Sequence, residues 1–268
     1  MKTDKRTVLI TGIASGIGRA VAKALARDGH RVLGIDIAEV EIEGAHSFAA
    51  DVTDGAAISA IADKLRAEGI CLDVIINAAG MHAMCSLVEG DYEKMRRLTE
   101  VNLLGAMNVN RALHPLLSAG GRIVIVTSEV APLDPLPFNG LYSISKTALD
   151  AYAQALRQEL NLLGQRVVTV RPGAIETPLQ SGALTATAAL AEGTELYKKQ
   201  AKHFLIITKK FMGKPLSPDR MAKVICRAAL AKHPRLVYSK HRSPGLILLG
   251  ILPKRLQCFV IRLLLNRK

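Results

Sequence analysis

Apolar runs of strand length alternate with segments of helical spacing from Thr7 to Tyr238. Thr7–Thr11 (TVLIT), Arg31–Ile35 (RVLGI), Leu72–Ile76 (LDVII), Arg122–Thr127 (RIVIVT) and Arg166–Val170 (RVVTV) are near-continuous and rich in β-branched residues. That pattern suits strands buried on both faces, as in a parallel sheet. Ser47–Ala50 and Leu236–Tyr238 read as two weaker strands. Between them lie helical patterns: Arg19–Ala26, Asp54–Ala67, one or two runs within Tyr92–Leu117, and Arg220–Lys232 after Ser217-Pro218-Asp219. A further helix follows Tyr142, with Leu149, Tyr152, Ala153, Leu156 and Leu160 at helical spacing. Alternation without a break predicts one α/β domain: a doubly wound parallel sheet of about seven strands with helices on both faces.

The turn after the first strand reads Gly12-Ile13-Ala14-Ser15-Gly16-Ile17-Gly18 and leads into a helix. Glycines in that setting let the backbone approach a pyrophosphate, and the helix N-terminus offers it unpaired N–H groups and a positive dipole end. Asp36 ends the second strand, where a doubly wound dinucleotide fold places an acid on the adenosine ribose. A carboxylate there accepts bonds from both ribose hydroxyls and repels a 2′-phosphate. The residues that follow, Ile37, Ala38 and Glu39, bring no cation, so NAD is predicted over NADP. Asp51-Val52 closes the third strand and can place a carboxylate near the adenine amino group. Asn77-Ala78-Ala79-Gly80 ends the fourth strand. Its small residues let the chain pass close to a flat cofactor ring, and the Asn77 amide is expected to hold adjacent strands together. Asn102 sits among apolar neighbours in EVNLLGAMN. Such an amide is a satisfied core residue, or it interrupts helix hydrogen bonding and holds a water next to Lys146.

Three residues can do chemistry together. Ser128 stands at the end of the fifth strand, and Tyr142 and Lys146, four apart at the start of a helix, share one face. A free phenol, with a pKa of about 10, is a poor base near neutrality. A fixed cation such as Lys146 favours the phenolate and lowers that value. A phenol so tuned exchanges a proton with an alcohol or ketone oxygen, while Ser128 fixes that oxygen in place. A Tyr–Lys pair alone commonly decorates a helix surface; the upstream cofactor motif gives this one its weight.

Thr11-Gly12-x-x-x-Gly16-Ile17-Gly18, Asp36, Asp51, Asn77-Ala78-Ala79-Gly80, Asn102, Ser128, Tyr142-x-x-x-Lys146 and Pro172-Gly173-x-x-x-Thr177 together resemble the classical short-chain dehydrogenases/reductases, in order and spacing, from residue 7 to 177. The resemblance implies a Rossmann-like fold and an oxidoreductase using NAD. It implies Tyr142 as general acid/base, Ser128 as the group that orients and polarises the reacting oxygen, and Lys146 as the residue that lowers the phenol pKa and binds the nicotinamide ribose. Asn102 would support a water connecting Lys146 to solvent. Pro172–Thr177, including Ile175, would hold the nicotinamide carboxamide, and hydride would pass between nicotinamide and substrate carbon while Tyr142 moves the proton. A homo-oligomer, dimer or tetramer, is also implied. Two features depart from the common pattern. Thr127-Ser128-Glu129 stands where many members carry Ser-Ser, which leaves Thr127 as a fallback hydroxyl behind Ser128, and the step from Ser128 to Tyr142 is 14 residues, within the family's variation. Leu136-Pro137-Phe138-Asn139 is similar to the hydroxysteroid dehydrogenases, and PGAIETP (172–178) to the hydroxysteroid and retinol dehydrogenase branch.

Composition separates the last quarter from the rest. Residues 1–197 hold 18 Lys and Arg against 22 acids, whereas residues 198–268 hold 18 against Asp219 alone. The cations are scattered among apolar residues without a recognition motif, so no nucleic-acid partner is expected. Residues 178–214 supply Leu179, Leu184, Leu190, Leu196, Tyr197, Phe204, Phe211 and Met212. They are expected to form a mobile, partly helical lid over a lipophilic small-molecule substrate, with a hydroxysteroid as the leading candidate and retinol or another lipid alcohol as the alternative. A non-catalytic NAD-sensing protein is a rival of another class, but the Asn, Ser, Tyr and Lys positions are all filled. Residues 245–268 form a basic amphipathic tail: LILLGIL, then Leu256, Phe259, Val260, Leu263 and Leu264 on one face, with Lys254, Arg255, Arg262, Arg267 and Lys268 supplying charge. Its apolar run is too short to span a bilayer. Peripheral contact with a membrane interface, or packing on the lid or another subunit, is expected instead. Cys71, Cys85, Cys226 and Cys258 show no metal spacing, so no metal is expected and a cytoplasmic location with reduced thiols is. MKTDKRTVLI lacks the apolar region and cleavage site of a secretory leader.

Overall fold

The computed structural model describes residues 5–211 and 214–267. Seven parallel strands form one sheet in the order β3-β2-β1-β4-β5-β6-β7: β1 (Thr7–Thr11), β2 (Arg31–Asp36), β3 (Ala45–Ala49), β4 (Leu72–Asn77), β5 (Leu117–Val126), β6 (Arg166–Pro172) and β7 (Val237–Lys240). The helices are α1 (Gly16–Arg27), α2 (Gly55–Ala67), α3 (Tyr92–Thr99), α4 (Gly105–Leu113), α5 (Gly140–Leu162), α6 (Pro178–Gly193), α7 (Lys198–Phe211), α8 (Pro218–Leu230), α9 (Pro244–Ile251) and α10 (Lys254–Leu265). Strand order reverses between β1 and β4, which opens a crevice at the carboxyl ends of these strands.

Alternate residues of each strand feed separate cores. Val8 and Ile10 of β1, Val74 and Ile76 of β4, and Val124 and Val126 of β5 pack under α1 and α8. Leu9, Ile75, Ile123 and Ile125 pack on the other face with α2, α4 and α5. Both faces of the central strands are covered, so β1, β4 and the paired half of β5 carry no polar side to solvent, whereas the edge strands β3 and β7 expose polar residues.

The elements predicted from the sequence are present, with shifted bounds. β3 is Ala45–Ala49 rather than Ser47–Ala50, because it pairs with β2 from Val32↔Ala45 onward. β5 begins at Leu117, ahead of Gly120-Gly121; Gly120 takes a left-handed φ of 72° and the register against β4 shifts there instead of ending the strand. Tyr92–Leu117 divides into α3, a π-helical turn at Glu100–Leu104, α4, a short 3₁₀ turn and the start of β5. α5 opens at Gly140, so Tyr142 lies inside its first turn. Residues 178–214 supply two helices, α6 and α7, packed together. Met212 and the side chains of Leu184 and Phe211 lie outside the described residues, as does Lys268.

Candidate active site

The carboxyl ends of β1, β2, β4, β5 and β6 open on a cavity of about 880 Å³. Gly12, Ser15, Gly16, Ile17 and Gly18 line it. Only glycine fits this turn: Gly12 is left-handed, and a Cβ on Gly18 would lie 2.0 Å from the Gly12 carbonyl oxygen. Ser15 caps α1 in extended conformation, and its side chain bonds none of the first-turn amides. Those amides and the glycine backbone are a donor set that fits a pyrophosphate. Asp36 lines the cavity with its carboxylate fixed, Oδ2 accepting from the Ala14 amide at 2.9 Å and Oδ1 from the Ala38 amide at 3.3 Å. Val52, Ala78, Gly80, Ile175 and Thr177 also line it. A Cβ on Gly16 would come within 3.0 Å of the Thr177 methyl, so the glycine turn and the segment after β6 face each other closely. The Thr177 hydroxyl is engaged as the cap of α6, accepting from the Gln180 amide.

Asp51 reaches the cavity, but its oxygens are engaged by protein. It pairs with Arg97 and accepts from the Thr53 amide at 2.9 Å and the Thr53 hydroxyl at 2.7 Å. Burial works to raise its pKa, yet these bonds outweigh it and hold the carboxyl below its usual range. Asn77 corrects an expectation. It is buried, does not line the cavity, and turns its amide towards α4, donating to Asn110 Oδ1 at 2.7 Å rather than to a neighbouring strand. The bond between strand ends comes instead from Thr11, whose hydroxyl accepts from the Ala78 and Ala79 amides. A short polar side chain at a strand end can face sheet or helix, and the motif does not say which.

Ser128, Tyr142 and Lys146 all line the same cavity. The Ser128 hydroxyl lies near enough to the phenol to favour its ionised form, and Lys146 Nζ lies 5.8 Å from the Tyr142 ring centre. Thr127 is excluded as the alternative hydroxyl, because it donates to Asp150, which also forms a two-pronged ion pair with Arg171 at 2.9 and 2.6 Å. The expected lowering of the phenol pKa is not met. Burial pushes Tyr142 up to about 12, the neighbouring Ser128 hydroxyl opposes this, and Glu129 nearby adds to it. Lys146 is itself buried and drawn down to about 8. Desolvation of both groups wins over their proximity. Asn102 is in the π-helical turn, so helix hydrogen bonding is interrupted there. It is not in contact with the cavity. Its Oδ1 accepts from the Met81 amide at 2.8 Å, and its Nδ2 donates to the Met81 carbonyl at 2.9 Å and to Ser145 Oγ at 3.0 Å. A Cβ on Gly80 would be 3.2 Å from Asn102 Oδ1 and 3.3 Å from Lys146 Nζ. Asn102 thus positions the Gly80–Met81 segment beside Lys146.

Sequence reasoning missed the roles of five residues at this site. His82 packs against Tyr142 with ring centres 4.4 Å apart, and its Nε2 meets Asn139 Oδ1 at 3.0 Å. Burial holds the imidazole down at about 4, so it is neutral. Asn139 stands at the N-cap of α5 but spends its side chain on His82 instead of the helix amides. Just before it, Phe138 takes a left-handed φ of 64° and packs with Tyr197 and with Phe204 of α7. Glu129 is buried beside Ser128, accepts from the Ser243 amide at 2.5 Å, and is raised by burial. Arg97 reaches Asp51 from α3. The available signals were slight: a His two residues past Gly80, an Asn before a helix, and an acid after Ser128.

A family model described as short chain dehydrogenase matches residues 6–187. The chain belongs to the short-chain dehydrogenases. Among curated relatives of this short-chain dehydrogenase, the Probable oxidoreductase EphD of Mycobacterium tuberculosis is 33% identical over 241 residues, 85% of this chain and 40% of that protein. The chain thus spans less than half the length of that relative. The NADPH-dependent 1-acyldihydroxyacetone phosphate reductase of Schizosaccharomyces pombe is 32% identical over 210 residues, 75% of this chain and 71% of the relative. A solved short chain dehydrogenase from Mycobacterium paratuberculosis, bound to NAD, superposes with a TM-score of 0.73 at 25% identity, covering 89% of this chain and 97% of that one. The seven-stranded sheet is therefore that of the family.

Proposed function

We propose that this short-chain dehydrogenase is a NAD-dependent oxidoreductase that interconverts a secondary alcohol and a ketone on a lipophilic substrate, with a hydroxysteroid as the leading candidate. One observation carries the reading: the Tyr142 phenol, the Ser128 hydroxyl and buried Lys146 converge in the cavity that the glycine turn and Asp36 also line. The dinucleotide, when bound, supplies the hydride donor or acceptor. Gly12, Ser15, Gly16, Ile17 and Gly18 would hold its phosphates, Asp36 its adenosine ribose, Asp51 and Val52 its adenine, and Ala78, Gly80, Tyr142, Lys146, Ile175 and Thr177 its nicotinamide half. Ser128 fixes the substrate oxygen and Tyr142 gives or takes its proton. The phenol's raised pKa keeps it protonated near neutrality, ready to donate to a ketone oxygen. Asp36, oriented by two amides, supports NAD. Met81, Met84, Leu136, Leu179, Phe204 and Leu246 around the cavity support an apolar substrate. Homo-oligomerisation is expected to accompany this function.

The test is kcat/KM with NAD and NADP across a sterol, bile-acid and retinoid panel. NAD preference with a steroid is the expected result. The yeast relative named NADPH-dependent makes the cofactor arm informative; a preference for NADP defeats the Asp36 argument. Turnover confined to retinoids or other lipid alcohols would replace the hydroxysteroid.

A further inference from the structure

The last two helices carry a surface that the body does not cover. α9 reads PGLILLGI, without a polar side chain, yet none of its residues is buried. A helix apolar all round belongs in a core or in lipid. Leu248 and Ile251 are 67% and 74% exposed, and on α10 Leu256, Phe259 and Leu263 are 43%, 61% and 54% exposed. This is the apolar face expected from the sequence, and it points outward.

α10 is nevertheless firmly seated by its other side. Gln257 donates to Asp134 Oδ2 at 3.0 Å and to the Leu252 carbonyl at 2.8 Å. Leu265 joins the cluster of Phe138, Ala201 and Phe204, and His203 Nδ1 donates to its carbonyl at 2.9 Å. The outer stripe is therefore a fixed part of the fold. Arg255 and Arg262 of α10 and Arg267 just after it supply charge beside this surface, Lys254 pairs with Asp134 at 3.1 Å, and no acid occurs after Asp219. A second copy meeting this face across a two-fold axis would bring like charges together, whereas anionic headgroups complement it. No helix among the described residues is long and apolar enough to cross a membrane. Leu246 of α9 and Phe204 and Ile207 of α7 also line the cavity, so the surface adjoins the cavity wall.

We propose that α9 and the outer face of α10 dock on an anionic bilayer surface, with Leu248, Ile251, Phe259 and Leu263 among the headgroups and the flanking cations at phosphate level. The proposal stands apart from the catalytic reading and does not depend on it. The full chain is sedimented with phosphatidylcholine vesicles, with and without phosphatidylglycerol, at low and physiological salt. The chain is expected to pellet with the anionic vesicles, less so as salt rises and least with phosphatidylcholine alone. Phe259→Ser/Leu263→Ser should weaken partition by about tenfold or more with an unchanged melting temperature. Arg255→Glu and Arg262→Glu should each weaken it by about fivefold or more. Protein left in the supernatant with anionic vesicles, or binding unaffected by the serine pair, overturns the proposal. So does a dimer in light scattering that the serine pair dissociates while vesicle binding is absent, since that assigns the face to a second copy.

Discussion

The turn between β1 and α1 and the surface of α9 and α10 meet opposite physical demands. At Gly12–Gly18 the backbone is the working group. Chain approaches chain so closely that a single added carbon would overlap a carbonyl. Individual residue types are therefore required at individual positions. On α9 and α10 side chains work as a class. Any large apolar residue serves at Leu248, Phe259 or Leu263, and any cation at Arg255 or Arg262. The first region tolerates almost no substitution and the second tolerates most, provided the face keeps its character. Precision is confined to where the chain has no room, and composition governs where it meets only its surroundings.

Mutations can break or sharpen that contrast. The largest effect is expected for Tyr142→Phe, which should lower kcat by about 10²–10⁴-fold while NAD, still held by its phosphates and adenosine ribose, continues to bind and the melting temperature stays intact. Stopped-flow turnover and NADH fluorescence check it, and near-normal turnover would remove the assigned role. Next is His82. Its pKa lies at about 4 against 6.5 for the free ring, so the unfolded chain takes up the proton first. The stability at stake is fully present above about 6.5 and is lost as pH falls towards about 4, by up to roughly 3 kcal/mol. His82→Phe should flatten this acid limb in urea titrations, and parallel acid limbs for the two proteins would show that His82 is not its source. Asp36→Ala should reduce kcat/KM for NAD about tenfold and leave NADP little changed; equal losses with both cofactors would argue against ribose recognition. Smallest is Leu263→Ser, which should move stability by no more than about 0.5 kcal/mol, because an exposed side chain loses little on truncation. A loss of several kcal/mol would mean that the outer stripe is covered.

The legibility of the chain follows the same division. The sheet, the glycine turn, Asp36 and the Ser128–Tyr142–Lys146 group could be read because buried strands and tight turns admit few residues. α10 shows the limit. Its periodicity marked a face of Leu256, Phe259, Val260, Leu263 and Leu264, but the fold buries Gln257 and Leu265 instead. Periodicity reports that a helix has two sides and leaves open which one meets the protein. Asn77 and His82 were obscure for another reason. Their roles depend on partners dozens of residues away, Asn110 and Asn139, and no local pattern encodes such a pairing. The direction of the phenol pKa is not legible in the motif, because burial of both Tyr142 and Lys146 is a property of the assembled cavity.

Phe138 joins these regions. An L-residue at φ 64° costs on the order of 1 kcal/mol, and here the rings of Tyr197 and Phe204, at 5.6 and 5.5 Å, offset it. The next residue, Asn139, begins the helix that presents Tyr142. Aromatic stacking on α7 and on the turn before it and the pose of the Tyr142 phenol are thus coupled in one thermodynamic balance. Whatever wedges those rings apart also disturbs the turn that leads into the helix carrying the phenol.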